Sequence, residues 1–382
     1  MGVTEIDSLD QLQEHLARGD SLRDVVIQGL DLTALAEELD VRDLTDTVFL
    51  GSELAPSTYA RACSNGAVIF RPPIDVPFSP FRSALYTPEE LFSGFDPDSP
   101  DTFSDTLDER VYRHFKARAR AGGTILDSLS CRLHDHGITD ALQEKISGRK
   151  VVAIMGGHGM RRDDNGYRDV ALIARGLTET GFLMTSGGGP GAMEATHFGA
   201  WMAHRDTGDL EAALEILGDV PGFEPRERWL ATALEVKTRF PRVRGPDGAL
   251  PDSLGIPTWL YGHEPPTVFA TDIAKYFANS VREEGLLAIA TYGVVFSPGS
   301  AGTIQEIFQD AAQNHYRSYG QPSPMVFLGE HYWQVEKPVF PVLAELATGN
   351  DYASLMHITD DVDEVVGHIV RYAPRRENAT PS

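Results

Sequence analysis

Glu306 is the residue of this chain best placed for chemistry. It closes the stretch Phe296-Ser-Pro-Gly-Ser-Ala-Gly-Thr-Ile-Gln-Glu306, which follows the short apolar run Gly293-Val-Val-Phe296 and opens a helical pattern reaching Tyr316. A strand, a glycine-rich turn and a helix start, in that order, make an anion site. The free N–H groups of the first helical turn point at the ligand, and the helix dipole favours negative charge. A carboxylate about one turn into such a helix is repelled by the anion, so its presence asks for a chemical reason. A second turn of the same kind lies earlier. Phe182-Leu-Met-Thr185 reads as a strand, and Ser186-Gly-Gly-Gly-Pro-Gly-Ala-Met-Glu-Ala195 follows it. Gly187, Gly188 and Gly189 permit close backbone approaches, and Pro190 suits the first position of a helix. One glycine run alone commonly serves packing; two in one α/β region point to a ligand.

Composition bounds what that ligand is. The chain has 382 residues and 42% hydrophobic content, enough for two or three domains with sizeable cores. A net charge of −23 argues against nucleic acid and anionic membranes as partners. A small anion is still compatible, because local dipoles and a few arginines override the global field. The two cysteines, Cys63 and Cys131, form neither a disulfide framework nor a zinc spacing. The acidic start lacks the apolar core of a signal peptide, and no run of about 18 apolar residues occurs. A soluble, cytoplasmic protein without metal or resident cofactor is expected.

The elements that must position these turns follow from periodicity. From Arg149 onward the rhythm is strand, glycine turn, helix. Val151-Val-Ala-Ile-Met155 is a continuous apolar run with Gly156-Gly-His-Gly159 as its turn, and Tyr167–Thr180 is helical. A long helix over Thr271–Ala290 precedes the Val294 strand. Strands around Pro324–Leu328 and Met356–Ile358 and a final helix, Asp361–Tyr372, close the pattern. The fold class is α/β, a doubly wound, Rossmann-like parallel sheet with helices on both faces, whose ligands bind at the carboxyl ends of strands. Residues 149–375 form this domain, with an insertion at about 204–266, and 376–382 form a disordered tail. Residues 1–148 read as a smaller N-terminal α+β accessory domain with strands at Thr47–Leu50 and Ala67–Phe70. Within it His134 and His136 flank Asp135 without a further metal ligand at convincing spacing. In the insertion, Arg226, Arg228, Arg239, Arg242 and Arg244 form a basic run that pairs with surface carboxylates more readily than with phosphates.

The second half resembles the LOG family of Rossmann-like phosphoribohydrolases, often labelled lysine decarboxylase-like. The family pattern P-G-G-x-G-T-x-x-E is matched by Pro298-Gly-Ser-Ala-Gly-Thr-Ile-Gln-Glu306, and the earlier family loop by Gly187-Gly-Gly-Pro-Gly-Ala-Met193. Arg282, in Asn279-Ser-Val-Arg-Glu-Glu-Gly285, matches a family arginine on the preceding helix. The Gly-Gly-His turn and Glu264-Pro-Pro266 look closest to the large bacterial pyrimidine/purine nucleotide 5′-monophosphate nucleosidases. Ser300 departs from the family glycine, at a strain cost of about 1–2 kcal/mol if that position needs positive φ. Glu283 replaces a common lysine.

The resemblance implies hydrolysis of the N-glycosidic bond of a nucleoside 5′-monophosphate to free base and ribose 5-phosphate. Glu306 would stabilise the oxocarbenium-like transition state and orient water. Arg282 would hold the ribose or phosphate and position Glu306. Gly299, Ser300, Ala301, Gly302 and Thr303 would bind the phosphate, and Gly187, Gly188, Gly189 and Gly191 would approach the nucleotide, with Met193 and Glu194 lining its pocket. A homodimer or larger homo-oligomer is implied. The alternative is a non-enzymatic nucleotide or molybdenum-cofactor binding or carrier protein. A pyridoxal-phosphate decarboxylase is excluded because Lys150, Lys237, Lys275 and Lys337 sit in no cofactor motif. A dinucleotide dehydrogenase is excluded because Met184-Thr-Ser186 carries no ribose-binding acid.

Overall fold

A computed structural model describes residues 4–71, 76–261 and 264–377; the C-terminal residues 378–382 of the expected tail lie outside them. Contacts divide the chain into two compact units: residues up to Leu85 together with Arg113–Glu144, and Tyr86–Tyr112 together with the chain from Lys145 onward.

The first unit is built on four parallel strands, β1 (Thr4–Ile6), β2 (Val25–Gln28), β3 (Val48–Leu50) and β4 (Val68–Phe70), in the order β1-β2-β3-β4. Alternation along the strands puts Ile6, Ile27 and Phe49 on one face, where they pack with Leu12, Leu16, Leu39 and Ala62 in a single core. The Leu9–Arg18 helix is punctuated as its sequence dictates. The Ser8 hydroxyl accepts from the Gln11 N–H, and Gly19 ends the helix at φ 77°. Periodicity alone leaves β1 and β2 unread, because each is short and Thr4-Glu-Ile6 carries only one buried residue.

The second unit contains seven parallel strands: β5 (Val151–Met155), β6 (Leu183–Ser186), β7 (Ser253–Gly255), β8 (Asp272–Ile273), β9 (Val294–Phe296), β10 (Met325–Leu328) and β11 (Met356–Thr359). Their order is β11-β10-β9-β5-β6-β7-β8. This is the doubly wound α/β sheet expected. Every residue of β5, β6, β7, β9 and β10 is buried, which explains the unbroken apolar runs of β5, β9 and β10. The chain runs outward from β5 through β8, then returns to β9 on the other side of β5. The order therefore reverses between β5 and β9, where a crevice opens at the carboxyl ends. The Ala192–Trp201 helix is buried along its whole length against Asn165–Glu179. No helix among the described residues is long and apolar enough to cross a membrane.

One expected element differs. The helix read over Thr271–Ala290 is instead the short strand β8, an extended link, and a helix confined to Asn279–Ile289. Tertiary pairing overrides helix propensity here. Lys275, 1% exposed, forms an ion pair with Asp108, which also accepts from the Trp259 indole at 3.1 Å. Burial pulls the Lys275 pKa down despite that partner. The lysine is thus structural, in keeping with its exclusion as a cofactor lysine.

Candidate functional site

Loops leave the carboxyl ends of β5, β6 and β9 side by side, and their backbones are tied together. The Gly157 N–H donates to the Pro298 carbonyl at 3.1 Å, and the Ala192 N–H donates to the Gly157 carbonyl at 3.2 Å. Gly191 has φ 69°, and a Cβ on it would lie 2.4 Å from the Gly157 oxygen and 2.6 Å from the His158 oxygen. Only glycine fits there.

The turn after β6 hangs on Ser186. Its hydroxyl accepts from the Gly188 N–H at 3.2 Å and donates to the Met193 carbonyl at 3.2 Å. His197 Nε2 lies 2.8 Å from the same hydroxyl, and Nδ1 lies 2.9 Å from the Ser253 hydroxyl. Full burial pulls the His197 pKa down to about 3. The ring is therefore neutral, donating to one hydroxyl and accepting from the other. Nothing in the spacing of His197 announces this role; it became visible only when Ser253 arrived from a strand far along the chain.

Arg282 and Glu306 do meet. Arg282 Nη1 is 3.9 Å from Glu306 Oε1, with the two side chains 10% and 14% exposed. Arg282 Nε donates to the Ile256 carbonyl at 2.9 Å. The guanidinium lies over Gly187, where a Cβ would come within 2.2 Å of Nη2. Met193 packs its sulfur under Gly187 and Gly189, so it supports the turn. Burial is the main reason Glu306 is pushed up to about 7; Arg282 opposes the shift, while Glu283 and Glu264 add to it. Glu283 is itself held by Asn279 Nδ2 at 2.6 Å and Gln305 Nε2 at 3.0 Å, and Glu264 lies 3.3 Å from His158 Nδ1.

The other predicted residues sit at the crossover. Gly299 and Ser300 help line a cleft of about 470 Å³ between the turns after β5 and β9, together with Gly157, Gly159, Met160 and Lys337. Ser300 has φ −105° and ψ −147°, so serine there carries no left-handed strain and the family glycine is dispensable. Ala301 and Gly302 are exposed at the helix start, and Thr303 packs its side chain over Gly299. Gly188, at φ 71°, packs on Gly255 and Pro257. Two cleft residues escaped sequence reading. Lys337 Nζ donates to the Gly299 carbonyl at 3.1 Å and the Tyr332 hydroxyl donates to it at 2.5 Å. Both come from the segment after β10, which has no motif.

Glu194 lines a cavity with His158, Gly191, Phe223 and Trp229, but its carboxylate is already held inside the chain. Arg162 Nε and Nη2 grip its two carboxylate oxygens at 2.8 and 2.6 Å, the Trp229 indole adds a bond at 3.2 Å, and both charged side chains are buried. The basic run is likewise engaged internally: Arg226 with Glu109, Arg239 with Glu235, Arg242 with the Pro251 carbonyl and Arg244 with the Gly248 carbonyl.

Asp310 lies one turn beyond Glu306, is 3% exposed, and has no hydrogen bond to Oδ2. Burial pushes it up to about 8. The folded state then holds a proton that the unfolded chain releases near the ordinary carboxyl value. Stability from this group is full at low pH and is lost as pH rises through about 8. Asp310→Asn should therefore gain stability relative to wild type as pH is raised from 5 to 8.5, most of the way across the window between 3.8 and about 8. Parallel urea-midpoint profiles for the two proteins would contradict this.

No family model matches the chain, and no curated protein does. Some solved structures resemble it, at low identity and low TM-score. A molybdenum cofactor binding protein from the phototrophic bacterium Rippkaea orientalis is 12% identical with a TM-score of 0.38, covering 59% of this chain and 98% of that one. A Moco carrier protein from Chlamydomonas reinhardtii is 14% identical with a TM-score of 0.37, covering 59% and 99%. A second structure of the Chlamydomonas carrier gives 14% and 0.35. At these values the likeness concerns the fold alone.

The LOG-family assignment is corrected on these findings. The structural neighbours are cofactor binding and carrier proteins, and the N-glycosidic hydrolase and its nucleoside 5′-monophosphate substrate find no support among them.

Proposed function

We propose that the second unit is a non-catalytic binding and carrier domain for the molybdenum cofactor, a pterin dithiolene that bears a terminal phosphate. One observation carries the reading: the cleft at the β5/β9 crossover. Its floor is backbone from two glycine turns, a helix start opens beside it at Ser300–Thr303, and Lys337 stands at its wall. Its volume of about 470 Å³ suits a cofactor-sized ligand. The N–H groups of Ala301, Gly302 and Thr303 with Lys337 would hold the phosphate. The residues present fit this cargo. The dithiolene brings its own metal ligands, so the protein needs to supply no thiol there, and both cysteines lie in the other unit. Arg282 and the Gly187–Gly191 turn would meet the heterocycle from the β6 side.

The test is retention of cofactor on the full chain through anaerobic gel filtration, read as the fluorescent pterin formed on oxidation. Wild type should retain the cofactor and return it intact. Lys337→Ala should bind about tenfold or more weaker, the scale of one lost charged hydrogen bond. Absence of retention by the wild-type chain, or cofactor altered on release, would remove this reading.

A further inference from the structure

The first unit holds a cavity of its own, unrelated to the site above. One face of the β1–β4 sheet is spent on the core. Register places Glu5, Val26, Gln28, Leu50 and Phe70 on the other face. A cavity of about 420 Å³ lies between that face and the Ile125–Ile146 helix, closed by Pro80 and Phe81. The helix approaches closely because residue 137 is glycine: a Cβ there would lie 2.3 Å from the Arg82 carbonyl oxygen.

The lining is divided by chemistry. Val26, Leu50, Phe70, Phe81 and Leu133 make apolar walls. Glu5, Gln28, His136 and Asp140 make the polar part. Gln28 is 6% exposed, and among the described residues its amide has no hydrogen-bond partner in the chain. The amide opens onto the cavity, where a ligand could pair with it.

The charge of that ligand follows from the carboxylates. Oxygens of Glu5, Asp140 and Glu144 lie within 4.8 Å of one another. Burial first, then Asp140, Glu144 and Asp7, push the Glu5 pKa up, with only His136 opposing them. This end of the cavity repels anions and gains from a cation. A bare metal ion would satisfy the carboxylates, but it has no use for apolar walls or for so large a space.

We propose that this cavity binds a small organic cation with an apolar body, an arylalkylammonium in chemical class. Its charged end would sit between Glu5 and Asp140, with a hydrogen bond to the Gln28 carbonyl. Its ring would lie on Val26, Leu50 and Phe70. The site is independent of the cofactor reading and would give the chain a second input.

Calorimetric titration of the full chain at neutral pH with phenethylamine tests it, with phenylacetate as the isostere of opposite charge and Mn²⁺ as the bare cation. One equivalent of amine should bind, and phenylacetate should not. Asp140→Asn, at an exposed position, should weaken the amine about tenfold, and Gln28→Leu should weaken it while far-UV circular dichroism stays unchanged. The proposal is overturned if the amine does not bind at millimolar concentration, or if it binds both variants as well as wild type. It is also overturned if Mn²⁺ binds tightly, excludes the amine and is indifferent to Gln28→Leu, which would make the carboxylates a metal site.

Discussion

Glu194→Leu should destabilise the second unit by about 3–5 kcal/mol, and Arg162→Met by a similar amount, while the double substitution should cost less than the sum of the two. The two side chains are 0% and 1% exposed and share two hydrogen bonds, at 2.6 and 2.8 Å. Their charges gave up water to meet, and each compensates the other's desolvation. Removing one strands the other in a place walled by Trp229, whose ring lies 5.1 Å from the guanidinium. Removing both leaves two apolar chains of similar bulk and no stranded charge, though the Trp229 indole N–H and the Trp229 carbonyl lose their partners. The pair also has a positional role. Arg162 follows the turn after β5 and Glu194 sits in the first turn of the helix after β6, so the ion pair holds two walls of the crossover region at fixed spacing. Urea denaturation of the four proteins closes the cycle. Single variants that each cost less than about 1 kcal/mol would show the pair to be solvated, with no positional role.

The sheet of the second unit was legible because β5, β9 and β10 are apolar throughout and β5, β6 and β9 each end in a small-residue turn. The meeting of Arg282 with Glu306 was legible through the family pattern, since the turn and helix that carry them repeat its spacing. The chemistry attached to that pattern was not. Ionisation depends on burial and on Glu264 and Glu283, and neither burial nor a contact between distant segments is written in a local motif. Lys337 and Tyr332 were missed for a related reason. They reach Gly299 from an irregular helical turn after β10, where no glycine spacing marks a ligand. Arg162 was invisible because Arg161-Arg-Asp-Asp164 after a turn reads as a charged surface run, and only the folded chain supplies Glu194 beneath it. The Thr271–Ala290 helix failed where a local tendency met a strong tertiary demand, the ion pair of Lys275 with Asp108. Gln28 is the converse case: it lies in β2, which periodicity left unread, and is buried beside a cavity.

Gly191→Ala should cost roughly 2–5 kcal/mol and, on the function proposed above, abolish cofactor retention. Two effects add. At φ 69° an alanine carries left-handed strain of about 1–2 kcal/mol. Its Cβ would also meet two carbonyl oxygens at 2.4 and 2.6 Å, and these are backbone atoms that cannot swing aside. The turn after β5 would have to move, at about 1–3 kcal/mol for overpacking, breaking the Ala192 to Gly157 hydrogen bond that ties the two turns. Gly181→Ala separates the two effects. Gly181 also has positive φ, at 90°, but a Cβ there meets nothing within 4 Å. It should cost only the strain and leave retention intact. Equal destabilisation by the two substitutions would show that the contact with the β5 turn contributes nothing. Lost retention with Gly191→Ala alone, with the chain still folded, would place the β5 and β6 turns in one binding surface.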